Sequence, residues 1–259
     1  MRIASVQMEI VDGDPSTNRR TLAGFLDSDP GSDLYLAPEL WTSGYVQSQW
    51  AALAKEDSPV SLKWMADEAR RRGVWIGGSL IAANTDGSLA NRFVLFDRSG
   101  VQVCQYDKAH LFRPLQEDLF LRAGDRMPPV LEVEGLRLAP AICYDLRFPE
   151  MFRRLALQGV DVFLVSSEWP FPRQHALRVM AEARAIENQA FVVLANRIGK
   201  DEKSNDFCGG SGIFGPLGPI AEAGESRTIV AADIDPVQLN AMRISFPVMS
   251  HRLPGIDHD

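Results

Sequence analysis

Cys143 ends an apolar run, Leu136–Ile142, and polar residues follow at once: Tyr144, Asp145 and Arg147. A helix-like segment begins near Pro149. A thiol on a tight turn between a strand and a helix is placed for nucleophilic attack. Backbone N–H groups at such a turn can hold the oxyanion that attack creates. Two further charged residues sit directly after apolar strand-like runs: Glu39 after residues 34–38, and Lys108 after residues 101–107. In open α/β sheets, sites gather beyond the carboxyl ends of strands. A carboxylate there can take the thiol proton as general base, and a lysine nearby favours thiolate and later stabilises the oxyanion. Each residue also has a plainer reading. Cysteine commonly just fills space in a core, strand-end lysines are commonly exposed, and Glu39 could cap a following helical turn. Spacing along the chain does not bring the three together, so the residues by themselves are compatible with the chemistry and go no further.

The elements that must position these groups alternate between strand-like and helix-like. Strands are expected over residues 3–8, 34–37, 74–82, 89–97, 101–106, 130–133, Leu136–Ile142, 160–165, 191–195 and 228–234. Arg98-Ser99-Gly100 reads as a hairpin turn, Glu134-Gly135 as another, and residues 215–218 as a turn between two late strands. Helices are expected from the Asp14-Pro15 start signal to about Leu26, over residues 61–72 with Gly73 as stop, and over residues 149–158. The clearest helix covers residues 173–188, where Ala176, Val179, Met180, Ala183 and Ile186 form one apolar stripe. Directly joined strands mixed with strand–helix–strand units imply mixed sheets with helices outside.

Bulk properties exclude several classes. The chain has 259 residues, 46% hydrophobic, with no repeat or linker, and reads as one domain over residues 1–259. Its net charge of -7, from 27 basic and 34 acidic residues, argues against a nucleic-acid or anionic-membrane surface. No leader-like apolar stretch opens it, and no window approaches the roughly 20 apolar residues of a membrane span. The three cysteines, at 104, 143 and 208, have neither disulfide-framework nor zinc spacing, so a reducing cytoplasm and no metal are expected. Cys104 is expected to pack inside a strand and Cys208 to lie exposed in a polar loop. Arg184 and Glu187 read as a helix-surface or interface ion pair. His110 has no orienting partner evident in sequence, so a Cys–His pair is not read here. The glycine pairs match no phosphate loop.

The segments Pro38-Glu39, Asp107-Lys108-Ala109-His110-Leu111-Phe112 and Cys143-Tyr144-Asp145-Leu146-Arg147-Phe148-Pro149-Glu150 resemble the three signatures of the nitrilase superfamily of carbon–nitrogen hydrolases, in the family's order. Residues 184–189, Gly210-Ser211 and Pro216-Leu217-Gly218 look like further family segments, so the resemblance spans nearly the whole chain. It implies a four-layer αββα sandwich, two mixed β-sheets flanked by helices. It also implies that Glu39, Lys108 and Cys143 form one triad. Within the superfamily, residues 110–113 and 144–149 are similar to the omega-amidase branch. By that resemblance Glu117 is a second glutamate that helps position Lys108, Arg147 binds a substrate carboxylate, Trp169 lines the pocket, and the Tyr144 N–H joins Lys108 in holding the oxyanion. The implied reaction hydrolyses the terminal amide of a small linear molecule, a monoamide of a short dicarboxylate or of its 2-oxo form, through a cysteine thioester. No metal or organic cofactor is implied, and a homodimer is. N-carbamoyl amines or nitriles are the alternative substrates, and a binding or assembly relative with a vestigial triad is the alternative role. One departure matters: Glu168 stands before Trp169-Pro170, where the family often has Asn. It is expected to border the pocket, where it could repel an anion or occupy Arg147.

Overall fold

The computed structural model describes residues 1–253. Its first sheet holds β1 (Arg2–Gln7), β2 (Leu34–Leu36), β3 (Trp75–Ala83), β4 (Leu89–Phe96) and β5 (Gln102–Asp107). The second holds β6 (Leu131–Val133), β7 (Leu136–Ile142), β8 (Val162–Ser167) and β9 (Phe191–Asn196). A short ribbon, β10 (Ile198–Lys200) and β11 (Asp206–Cys208), follows. Then β12 (Gly212–Gly215) and β13 (Gly218–Glu222) extend the second sheet, and β14 (Thr228–Asp233) returns to the first. The orders are β14-β1-β2-β3-β4-β5 and β13-β12-β9-β8-β7-β6. Each sheet has two parallel junctions, β1–β2–β3 in one and β7–β8–β9 in the other, with antiparallel strands on both sides. The mixed sheets expected from sequence are thus present, twice over.

The period-2 pattern of the strands sorts side chains between layers. In β1, Ile3 joins the core between the sheets, with Leu36, Phe93, Leu138 and Val193, whereas Ala4 and Val6 face the opposite way. There they meet Leu22, Phe25 and Leu26 of α1 (Pro15–Ser28) and Met65 and Ala69 of α3 (Ser58–Arg72). On the far side, α5 (Pro149–Leu157) and α6 (Gln174–Asn188) cover the second sheet with Phe152, Leu155, Leu177 and Ala181. The remaining helices are α2 (Trp50–Glu56), α4 (Glu117–Phe120) and α7 (Pro236–Ser245). The result is the αββα sandwich. Local signals set helix ends: Asp14 accepts from Thr17 N at 3.0 Å with Pro15 at the first turn, and Gly73 caps α3 at φ 66°.

Three sequence expectations need correction. The stripe expected on α6 is only partly inward: Ala176 and Met180 pack against the core, but Val179 and Ile186 are exposed, while Leu177, Ala181, Arg184, Ala185 and Asn188 are buried. Small Ala181 and Ala185 let the helix sit close to the sheet, which a periodicity count of apolar residues does not weigh. Arg184 is accordingly no surface residue: it donates to Leu146 O at 3.1 Å while keeping Glu187 at 3.0 Å. Cys208 lies buried on β11, its thiol 3.0 Å from Trp169 O, because the ribbon folds back over the end of the second sheet.

Candidate active site

Hydrogen bonds tie the facing sheets at one end of the sandwich. Ser5 Oγ donates to Leu194 O at 2.5 Å, and Ser166 Oγ to Ala37 O at 2.8 Å. Beyond this seam the strand ends deliver the charged residues. Glu39 follows β2 on a segment that β3 holds from the side: Ala37 N donates to Gly77 O, and Leu40 N to Ser79 Oγ. Gly78 permits that approach, since a Cβ there would lie 2.9 Å from the Ala37 Cβ. Lys108 follows β5, its N–H donating to Asn91 O at 2.9 Å. Cys143 opens a short 3₁₀ turn, Cys143–Arg147, between β7 and α5.

The backbone turns left-handed at or beside Cys143, Glu39 and Glu117. Cys143 has φ 48°, Leu40 next to Glu39 has φ 42°, and Gln116 before Glu117 has φ 60°. Non-glycine residues rarely adopt such values, and where they persist the surroundings must enforce them. At Cys143 the enforcer is Asp145. Its buried carboxylate accepts from Ile142 N (2.9 Å), Tyr106 Oη (2.8 Å) and His110 N (3.1 Å), and lies 2.7 Å from His110 Nδ1. His110 therefore orients the turn through Asp145; Asp145 is the orienting partner that sequence spacing had not revealed.

Glu39, Lys108, Glu117 and Cys143 come together with almost no solvent contact. Lys108 Nζ donates to Glu39 Oε1 at 2.8 Å and to Glu117 Oε1 at 2.7 Å. Tyr45 Oη reaches Glu117 Oε1 at 2.5 Å and Glu39 Oε1 at 3.2 Å. Asn91 Nδ2 donates to Glu39 Oε1 at 2.7 Å and Glu168 N to Glu39 Oε2 at 3.0 Å. Phe112 N holds the other oxygen of Glu117 at 2.7 Å.

Burial decides the protonation pattern. It pushes the Cys143 thiol well above the usual thiol range, and the Glu39 charge pushes the same way; Lys108 opposes both and loses. Burial also raises Glu39, against the pull of Lys108. Burial lowers Lys108, but the Glu117 and Glu39 charges outweigh it and hold the ammonium well above the usual lysine range. With two carboxylates already on one ammonium, a resting thiolate would be a second uncompensated buried anion. Lys108 does favour the thiolate, as expected from sequence, but burial and the Glu39 charge outweigh it and hold Cys143 as a neutral thiol.

A narrow pocket reaches Cys143, lined by Phe112, Tyr144, Arg147, Glu168, Trp169, Pro170 and Arg173. A larger depression near Arg92 and Arg122 contains none of the triad, and those two arginines are paired with Asp107 and Asp86. Glu168 does border the cavity but does not occupy Arg147. Its Oε2 pairs at 2.9 Å with Arg197, a buried guanidinium that also meets Asp12 at 3.2 Å. Burial raises Glu168 well above the usual carboxylate range despite Arg197. Arg147 instead lies over the Trp169 ring, 4.7 Å from its centroid. Sequence reasoning missed Tyr45, Asn91, Asp145 and Arg197. Arg197 directly follows β9 and carries the same strand-end signal as Glu39 and Lys108.

Comparison with known proteins agrees with this geometry. The family model described as carbon-nitrogen hydrolase matches residues 2–244. A 2-oxoglutaramate amidase of Bacillus subtilis (strain 168) is 36% identical over 248 residues, 95% of each chain. The omega-amidase YafV of Escherichia coli (strain K12) is 34% identical over 249 residues, 95% of this chain and 94% of its own. Among solved structures, XC1258 of Xanthomonas campestris, a CN-hydrolase superfamily protein with an arsenic adduct in its active site, has a TM-score of 0.92 at 32% identity, covering 100% of this chain and 99% of its own. A mutant amidase of Nesterenkonia sp. AN1, with acrylamide added to its active-site cysteine, has a TM-score of 0.84 at 30% identity, covering 95% and 98%. The chain belongs to the carbon–nitrogen hydrolase family, among its amidases.

Proposed function

We propose that the enzyme hydrolyses the terminal amide of a short linear molecule, a monoamide of a dicarboxylate or of its 2-oxo form, with Cys143 as nucleophile. The observation that carries the reading is the buried Glu39–Lys108–Glu117 bridge beside a neutral thiol. Glu39 takes the Cys143 proton as Sγ attacks the amide carbon, so no thiolate has to persist. The oxyanion is held by Lys108 Nζ and the Tyr144 N–H. Glu39 then passes the proton to the amide nitrogen, the C–N bond breaks, ammonia leaves, and a thioester remains. Water gives a proton to Glu39 and attacks the thioester carbon. The C–S bond breaks, the carboxylate product leaves, and the thiol regains its proton. Glu117 acts as a positioning residue, holding Lys108 beside Glu39.

Glu168 fits the amide end of the substrate. Its backbone N–H is bonded to Glu39, its Oε2 is held by Arg197, and its Oε1 is buried without a partner at the cavity wall. That oxygen accepts one N–H of the substrate amide, while Trp169 supplies an apolar wall. The substrate class draws support from relatives named 2-oxoglutaramate amidase and omega-amidase. No helix among the described residues is long and apolar enough to cross a membrane. A single domain, of which residues 254–259 lie outside the described residues, residence in the cytoplasm with its three thiols free, and a homodimer through the outward face of α6, where Val179 and Ile186 are exposed, complete the reading. The test is ammonia release from succinamate by wild type and Cys143→Ala. Release by wild type that the substitution abolishes is expected; equal rates in the two would sink the mechanism.

A further inference from the structure

Family resemblance brings Arg147 to the substrate and leaves Arg173 without a role. Arg173 stands just before α6, lies 5.6 Å from the Phe112 ring centroid, and borders the same cavity as Cys143 and Arg147. The two guanidiniums thus rest on two different aromatic platforms, Trp169 for Arg147 and Phe112 for Arg173. Among the described residues neither makes an ion pair with a carboxylate. The acid that borders the cavity with them, Glu168, is engaged by Arg197 instead. A third donor joins them: Trp169 is 97% buried (3% exposed), and its Nε1–H has no partner. An indole N–H buried without an acceptor is uncommon and points to a group that is still to arrive.

From this convergence we infer that Arg173, with Arg147 and the Trp169 indole N–H, forms a subsite for the carboxylate at the far end of the substrate, so that Arg173 is a specificity-determining residue of the enzyme. The inference rests on the amidase reading above and deepens it. A contact with an aromatic face leaves the guanidinium N–H groups unspent, and their fork matches the two oxygens of a carboxylate. Two such edges and one indole N–H can fill the acceptor sites of a single carboxylate that has left water. The two ends of the cavity then differ. The amide end meets the acceptors Glu39 and Glu168 Oε1 beside the oxyanion donors; the acid end meets donors alone. Glu168 does not repel the substrate anion, because Arg197 holds its Oε2 and it serves the opposite end.

The test compares succinamate with butyramide, which has the same chain length and amide but a methyl in place of the carboxylate. Wild type is expected to prefer succinamate in kcat/KM. In Arg173→Met, which keeps an apolar stem over Phe112, that preference should fall about 10- to 100-fold, the usual weight of a hydrogen bond to a charged group. The loss should sit mainly in KM. Arg173→Lys, which keeps charge but not the fork, is expected to lose part of the preference and serves if the Met variant does not fold. A preference unmoved by either change overturns the inference. A second measurement needs no turnover: glutarate should slow alkylation of Cys143 by iodoacetamide, at concentrations about tenfold or more higher in Arg173→Met than in wild type. Absence of protection in wild type also overturns it. Ammonia from butyramide without any preference for succinamate removes the subsite and leaves the amidase; ammonia from neither removes the amidase, and glutarate protection still decides the subsite.

Discussion

Replacing Lys108 by Met gives the sharpest test of how the buried charges are balanced. The ammonium lies 2.8 Å from Glu39 Oε1 and 2.7 Å from Glu117 Oε1, and all three side chains are fully buried. Without it, two carboxylates face each other with only Tyr45 and Asn91 as donors to the oxygens they shared with lysine. Breaking a buried pair by removing one partner typically destabilises by about 3–5 kcal/mol. The pair can limit that loss by sharing one proton, as close carboxylates do. The proton changes the pH dependence, and the sign follows directly. A carboxyl whose folded pKa is raised binds a proton that the unfolded chain has released above about pH 4.5, so stability falls as pH rises. The slope is about 1.4 kcal/mol per pH unit for one proton. Wild type holds its ammonium across this range, since Lys108 is raised and contributes stability that is lost only above about pH 10.4, the unfolded lysine value. Urea unfolding of both proteins from pH 5 to pH 8 should therefore show a gap that widens with pH. A gap that stays flat would refute the charge assignment. Amidase activity should fall by about a hundredfold or more at every pH, with loss of the oxyanion donor.

Three further outcomes follow from the same structure. Because burial raises the Cys143 thiol, its alkylation by iodoacetamide should climb steadily from pH 7 to pH 9; a plateau below pH 7 would mean a standing thiolate. Asp145→Asn removes the charged acceptor of Ile142 N and Tyr106 Oη, and should lower kcat by about tenfold or more with little change in KM, checked by steady-state kinetics beside a melting curve. Arg184→Ala unhooks α6 from Leu146 O, and a loss of about 1–3 kcal/mol in urea unfolding is expected, against nearly none if the residue were an ordinary surface ion pair.

The strands that carry the triad were legible because each couples a short apolar run to one abrupt charge or thiol. Glu39, Lys108 and Cys143 carry that mark, and so does Arg197, although only the first three also resembled a family signature. Asn91 and Tyr45 carry no such mark. A lone amide inside β4 and a tyrosine in a loop reveal their roles only when β3, β4 and β5 lie side by side. Glu117 sits on a four-residue helix in a connecting segment, and spacing could not have drawn it to Lys108. The face of α6 was misread because hydrophobicity marks two stripes on that helix, and the choice between them depends on how near the sheet allows the helix to come. Glu168 borders the cavity, and its partner Arg197 lies 29 residues on, across the ends of two neighbouring strands.

The seam between the sheets has a consequence for how this enzyme fails. Glu39 and Lys108 belong to one sheet and Cys143 and Glu168 to the other, and neither sheet holds a working half. Each could keep its own ladder of hydrogen bonds while the pair slipped by a single residue, and the nucleophile would lose its base although no strand had melted. Turnover therefore gauges docking, where circular dichroism gauges folding. On gentle heating or dilute denaturant the two signals should part, activity dying first, so that the population between them is a form with both sheets built and not yet aligned.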